Sequence, residues 1–110
     1  MPRHISSARE LSVTLEDKPG RLASLAEALG KAGVNIETLA VVPGPRGNCR
    51  LVVTDAAAAR RAIEGAGMAV AGERDAVIVE LDDRAGELGR AARKLADAGV
   101  NIDGAYMAGR

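Results

Sequence analysis

The chain has 110 residues, and its 15 basic and 15 acidic side chains cancel, which removes the long-range attraction that a nucleic acid or an anionic membrane would exploit. Tyr106 is the only aromatic residue, so no platform for stacking bases or flat cofactors can be built. One cysteine, Cys49, and one histidine, His4, exclude an internal disulfide and a zinc cluster and point to a reducing cytoplasm.

"MPRHISSAREL" lacks an apolar leader core, and no run approaches the roughly 18 apolar residues of a spanning helix, so a soluble, unexported protein without membrane contact is expected. "ELSVTLE" alternates Leu11, Val13 and Leu15 with Ser12, Thr14 and Glu16, the period of a half-buried strand. "DKPG" makes a turn, and from Arg21 the apolar residues Leu22, Leu25, Ala26 and Leu29 form a helical stripe, closed at Gly33. "NIETLAVV" reads as a second strand, "PGPRGN" as a turn, and "CRLVVTD" as a third strand with Cys49, Leu51 and Val53 on one face. Thr54 or Asp55 caps a second helix that runs out at Gly65 and Gly67, and a short strand at Met68–Ala71 is expected next. The order is β-α-β-β-α-β, the ferredoxin-like split βαβ arrangement, an α+β fold in which helices cover one face of an antiparallel sheet.

The chain then repeats itself. "AGVNIE" at Ala32–Glu37 returns as "AGVNID" at Ala98–Asp103, and Gly20 and Gly86 are separated by the same 66 positions as Gly33 and Gly99. Val77, Val79 and Leu81 replay the first strand, and Leu88, Ala92 and Leu95 replay the first helix. A division into a full module at 1–73 and a partial βαβ repeat at 74–110 follows. The partial repeat has no third strand to fill its sheet, so another chain, most simply in a homodimer, or a rearranged strand of this one is expected to supply the pairing.

The loop "EDKPGRL" delivers a strand into a helix, whose free first-turn N–H groups form an electropositive cradle suited to a carboxylate. Gly20 lets a ligand approach the backbone, Pro19 presets the first turn, and Asp17 offers an acid to an ammonium group. Asn35 adds an amide that both donates and accepts. Such a set suits a zwitterion. Helix capping is the structural alternative for Asp17 and Asp83, and Arg21 and Glu87 read as solvated first-turn residues.

"LEDKPGRLASLAEALGKAGVNIETLAV" resembles the opening half of an ACT domain, a regulatory module that binds amino acids and similar metabolites, and "LDDRAGELGRAARKLADAGVNIDGAYM" resembles a second copy. The resemblance implies an effector site at the interface of two modules and implicates Asp17, Gly20 and Asn35; their neighbours Pro19, Arg21, Leu22 and Ile36 join the candidate set. In the second copy the resemblance implicates Asp83, Gly86 and Asn101, joined by Leu88 and Ile102, where Ala85 replaces Pro19 and Gly104 and Gly109 weaken the following strand. The function expected is a non-enzymatic sensor of a small metabolite, without cofactor or metal, passing its signal to a regulated enzyme or regulator protein. An oligomerisation module without ligand is the alternative. No nucleophile, base and orienting group coincide on any element, which argues against catalysis.

Overall fold

A computed structural model describes residues 4–16, 18–42, 44–82, 84–100 and 105, with the side chain of His4 left aside. Strand β1 spans His4–Thr14, helix α1 Arg21–Lys31, β2 Ile36–Val41, β3 Cys49–Val53, α2 Ala56–Gly65, β4 Ala69–Glu80 and α3 Glu87–Asp97. The sheet order is β2-β3-β1-β4, as the split βαβ arrangement requires. The chain divides into two compact units: among the described residues one comprises 8–76, the other 4–7 and 77–105.

In the first unit, Leu11 pairs with Leu51 and Leu51 in turn with Leu39, so three leucines cross the sheet in line. Their face is the core, where Leu11, Val13, Cys49, Leu51 and Val53 meet Leu25 and Leu29 of α1 and Ala59 and Ile63 of α2. A bulge between Ile36 and Thr38 resolves a difficulty in "NIETLAVV". Ile36 and Leu39 both pack on the core although they are three residues apart, and one extra residue restores the alternation between them. The face of α1 is rotated from the expected one: Leu25 and Leu29 are buried, while Ala26 is exposed and Leu22 is 44% exposed. Leu22 lies in the first turn, beyond the edge of the sheet's cover.

All three helices end in the same way. Val34 N–H donates to Leu29 O at 3.0 Å and Gly33 N–H to Gly30 O at 3.1 Å, with Gly33 at φ 74. Met68 and Gly67 close α2, and Val100 and Gly99 close α3, by the same paired bonds. This is the Schellman closure, in which a left-handed glycine returns two amides to the last-turn carbonyls. It accounts for the recurrence of "AGV". Asp55 caps α2, accepting from Ala58 N–H at 3.1 Å.

Two expectations fail at the junction. A single strand, β4, runs through Ala69–Glu80 where two were expected, because nothing in "AVAGERDAVIVE" breaks an extended chain. Strand β1 also begins at His4, before the alternation that announces it. Arg9 bridges Glu73 at 3.0 Å and Arg74 bridges Glu10 at 3.1 Å, so in an antiparallel pair the start of β1 lies beside the end of β4. Residues 4–7 accordingly belong to the unit that holds 77–80. Strand β1 is thus the neighbour of β4 in the sheet.

The second unit is thinly covered. Val77 is 63% and Leu88 60% exposed, and Ile5, Leu95 and Val100 are exposed as well, so the apolar stripe expected on α3 is not buried as that of α1 is. The expected strand from Asn101 onward and Tyr106 lie outside the described residues.

Candidate functional site

Leu15 leaves β1 buried, and its main chain is held by a single side chain. Leu15 N–H donates to Asn48 Oδ1 at 2.8 Å, and Asn48 Nδ2 donates to Leu15 O at 3.1 Å. Next to it, Gly47 N–H donates to Thr14 Oγ1 at 2.9 Å. An amide side chain with one donor and one acceptor mimics the ladder partner of an extended residue, so the β2–β3 turn anchors the point from which the loop to α1 departs. Sequence reasoning treated "PGPRGN" only as a turn and missed this role of Asn48; its signal is an amide placed directly before a strand.

The loop then winds tightly. Lys18 N–H donates to Glu16 O at 2.9 Å, Arg21 N–H to Lys18 O at 3.4 Å and Ser24 N–H to Gly20 O at 2.9 Å. Gly20 is the N-cap of α1 at φ 86, ψ −5, with no side-chain cap; a residue with a Cβ is strained there. Among the described residues nothing caps the amides of Leu22 and Ala23, which stand at the positive end of the helix dipole. A methyl group placed on Gly20 would meet no atom within 4 Å. Arg21 is drawn aside to Glu16, at 3.0 Å, and Lys18 reaches the same carboxylate at 3.3 Å. The result is an open cradle of amides with two cations on its rim and the exposed Leu22 at its side.

The second copy repeats this backbone. Arg84 N–H donates to Asp82 O at 2.8 Å, Glu87 N–H to Arg84 O at 3.3 Å and Arg90 N–H to Gly86 O at 3.0 Å, and Gly86 caps α3 at φ 88, ψ −9. Its side chains differ. Glu87 replaces Arg21 and Arg90 replaces Ser24. Arg90 Nε donates to Glu87 Oε1 at 2.8 Å, and the guanidinium lies 3.2 Å from where a methyl on Gly86 would stand. Glu87 is only 3% exposed, which corrects its reading as a solvated residue. The Arg90 hydrogen bond holds its carboxyl below the usual range, against the opposing effect of burial.

The other candidates separate by position. Pro19 and Arg21 flank Gly20. Asn35 lies past the far end of α1, an 11-residue helix that at 1.5 Å per residue measures roughly 16 Å. Its N–H donates to Thr54 Oγ1 at 3.2 Å and its O accepts from Thr54 N–H at 3.1 Å, so its main chain extends the β2–β3 ladder while its exposed side-chain amide makes no bond among the described residues. Ile36 is half-buried beside it. One module therefore does not bring Gly20 and Asn35 to one small molecule. Asp17, Asp83, Asn101 and Ile102 lie outside the described residues, and Leu88 is exposed on α3 beside Glu87.

Elsewhere little chemistry gathers. Cys49 is fully buried and its thiol is pushed up to about 11 by desolvation. Arg60 is half-buried and bridges Glu73 at 3.2 Å. Among the described residues no group of three His, Cys, Asp or Glu side chains suits a metal ion, and no helix is long and apolar enough to cross a membrane. A shallow groove between α1 and α2, floored by Ala28, Ala32, Ala62 and Ala66, is open to solvent.

The strand–Gly20–helix–"GVNI" unit has a counterpart among family models. Residues 9–61 match the ACT domain. The ACT match covers the open cradle and Asn35 and stops before the second copy. Solved structures extend the likeness of fold to nearly the whole chain. Protein BT0572 from Bacteroides thetaiotaomicron aligns at 25% identity with a TM-score of 0.75, covering 96% of this chain and 74% of that one. The α and β subunits of an aspartokinase align at 17% identity and TM-score 0.64, over 98% and 82% of the two chains. The ligand-free regulatory subunit of aspartate kinase from Thermus thermophilus gives 17% and 0.58, over 98% and 83%. At 17% identity these last two share the fold alone. No curated protein matches the chain by sequence.

Proposed function

We propose that the protein is a non-enzymatic regulatory module that senses a small zwitterionic metabolite, an amino acid by class, at the Gly20 cradle. The observation that carries this reading is the pair of Leu22 and Ala23 amides, uncapped among the described residues, beneath a glycine with free space above it, within the ACT match. The amides and the dipole receive the carboxylate, and Leu22 lines the side-chain end. Asp17, next in the loop, is assigned to the ammonium group. Asn35 stands at the opposite end of α1, so in this reading it reaches the effector only from a second module. A homodimer that sets Gly20 of one copy against Asn35 of another completes the site.

The effector acts by differential affinity for two packings of the modules and shifts their populations. One structural neighbour is by name the regulatory subunit of an aspartate kinase, which supports an enzyme partner as recipient of the signal. The division into modules at 1–73 and 74–110, and a cytoplasmic setting that keeps Cys49 a thiol, belong to the same proposal.

Thermal unfolding in the presence of each of the twenty amino acids tests it. One that binds the folded protein, at a hundred times its Kd, adds about 2.7 kcal/mol of apparent stability, and Gly20→Val, which both strains the cap and fills the cradle, abolishes the shift. Twenty flat titrations favour an oligomerisation module without ligand.

A further inference from the structure

The two cradles share one backbone and differ in two side chains of the first helical turn. In the first, Arg21 turns to Glu16 at 3.0 Å and Ser24 Oγ donates back to Gly20 O at 3.0 Å, which leaves the space over Gly20 free. In the second, Glu87 puts a buried carboxylate at the positive end of α3, where the dipole favours negative charge. The Arg90 guanidinium then closes over Gly86, donating to Glu87 Oε1 at 2.8 Å and to Ala85 O at 3.5 Å. Arg84 Nη2, 3.9 Å from Glu87 Oε2, adds positive charge on the outer side.

We infer that the Arg90 guanidinium, held in place by Glu87, is a built-in cover of the second cradle, so that each chain takes up one effector, at Gly20, and none at Gly86. The inference rests on the amino-acid reading of the first cradle for the identity of what is excluded. The plug itself is a statement about this chain alone. Two substitutions, Glu87→Arg and Arg90→Ser, write the first copy's residues into the second and open it.

Amide hydrogen exchange, corrected for intrinsic rates, reads the plug without any ligand. Leu22 and Ala23 are expected to exchange near the open rate, and Leu88 and Gly89, in the same backbone geometry, roughly tenfold or more slower. The E87R/R90S variant brings the second pair to the rate of the first. Arg90→Ser alone, which leaves Glu87 in place, serves if the double variant does not fold. Equal rates in the unmodified protein, or slow rates that survive removal of Arg90, overturn the inference. A second arm follows backbone amide shifts with each of the twenty amino acids: residues 21–23 move in the unmodified protein and 87–89 move only in the variant. Movement of 87–89 in the unmodified protein also overturns the plug. If no amino acid moves 21–23, the sensing reading fails, and the exchange arm still judges the plug.

Discussion

Gly20 and Gly86 have the same φ to within a few degrees, yet one faces empty space and the other a guanidinium. The difference comes from residues one and four positions on, which is the spacing at which side chains on one face of a helix meet. Cys49 shows the opposite case, a reactive group that its surroundings silence. Buried on the core face of β3, its thiol is pushed up to about 11 by desolvation, from about 9 for an exposed thiol. The unfolded thiol ionises first, so the associated stability is intact below about pH 9 and is lost as pH rises toward 11. The expected loss is about 3 kcal/mol. Denaturant unfolding across that range, against Cys49→Ala as the control lacking the slope, checks it; alkylation of the native thiol at neutral pH at the rate of the unfolded chain would contradict it. The burial of Cys49 was legible in the alternation of "CRLVVTD". The Glu87–Arg90 pair was not, since the two become neighbours only once the helix is formed.

Among the elements, the loop between β1 and α1 depends on a residue far away in sequence. Asn48 replaces a strand partner for Leu15 with its side chain. Asn48→Ala removes both bonds and leaves a half-buried N–H and C=O without partners. The expected cost is about 2 kcal/mol, read as a lower denaturant midpoint, with Leu15 exchange accelerated while Leu51 exchange follows global stability. An unchanged midpoint would mean that the loop is held by its own turn bonds. Periodicity located α1, β3 and α2, because each follows from local spacing and capping: Asp55 caps α2 as expected, and Gly33 closes α1. Periodicity misjudged which face of α1 is covered, since Leu22 and Ala26 satisfy a helical stripe as well as Leu25 and Leu29 do. The side on which the sheet lies decides between them.

For the molecule as a whole, the informative feature is the length of β1 and β4. Each runs through both units, and residues 4–7 join the unit of 77–100. In a strand, adjacent N–H groups point to opposite sides. Of Ser6→Pro and Ser7→Pro, one therefore removes a donor from the ladder with β4 and the other does not. The damaging variant is expected to accelerate exchange in α3 by at least roughly tenfold, while exchange at Leu25 and Leu29 is unchanged. If both prolines are silent in α3, residues 4–7 contribute nothing to that unit.

The sequence by itself determined the split βαβ order, the duplicated loop and helix, and the left-handed closure of α1 at Gly33, because these depend on interactions within a few residues. Only the tertiary structure decided that β1 and β4 are neighbours of 11 and 12 residues, that Asn48 anchors the first loop, that Gly20 and Asn35 stand at opposite ends of α1, and that one cradle is open while the other is covered. Those outcomes depend on pairings between residues dozens of positions apart and on where side chains point once the backbone is set, and neither has a local signature.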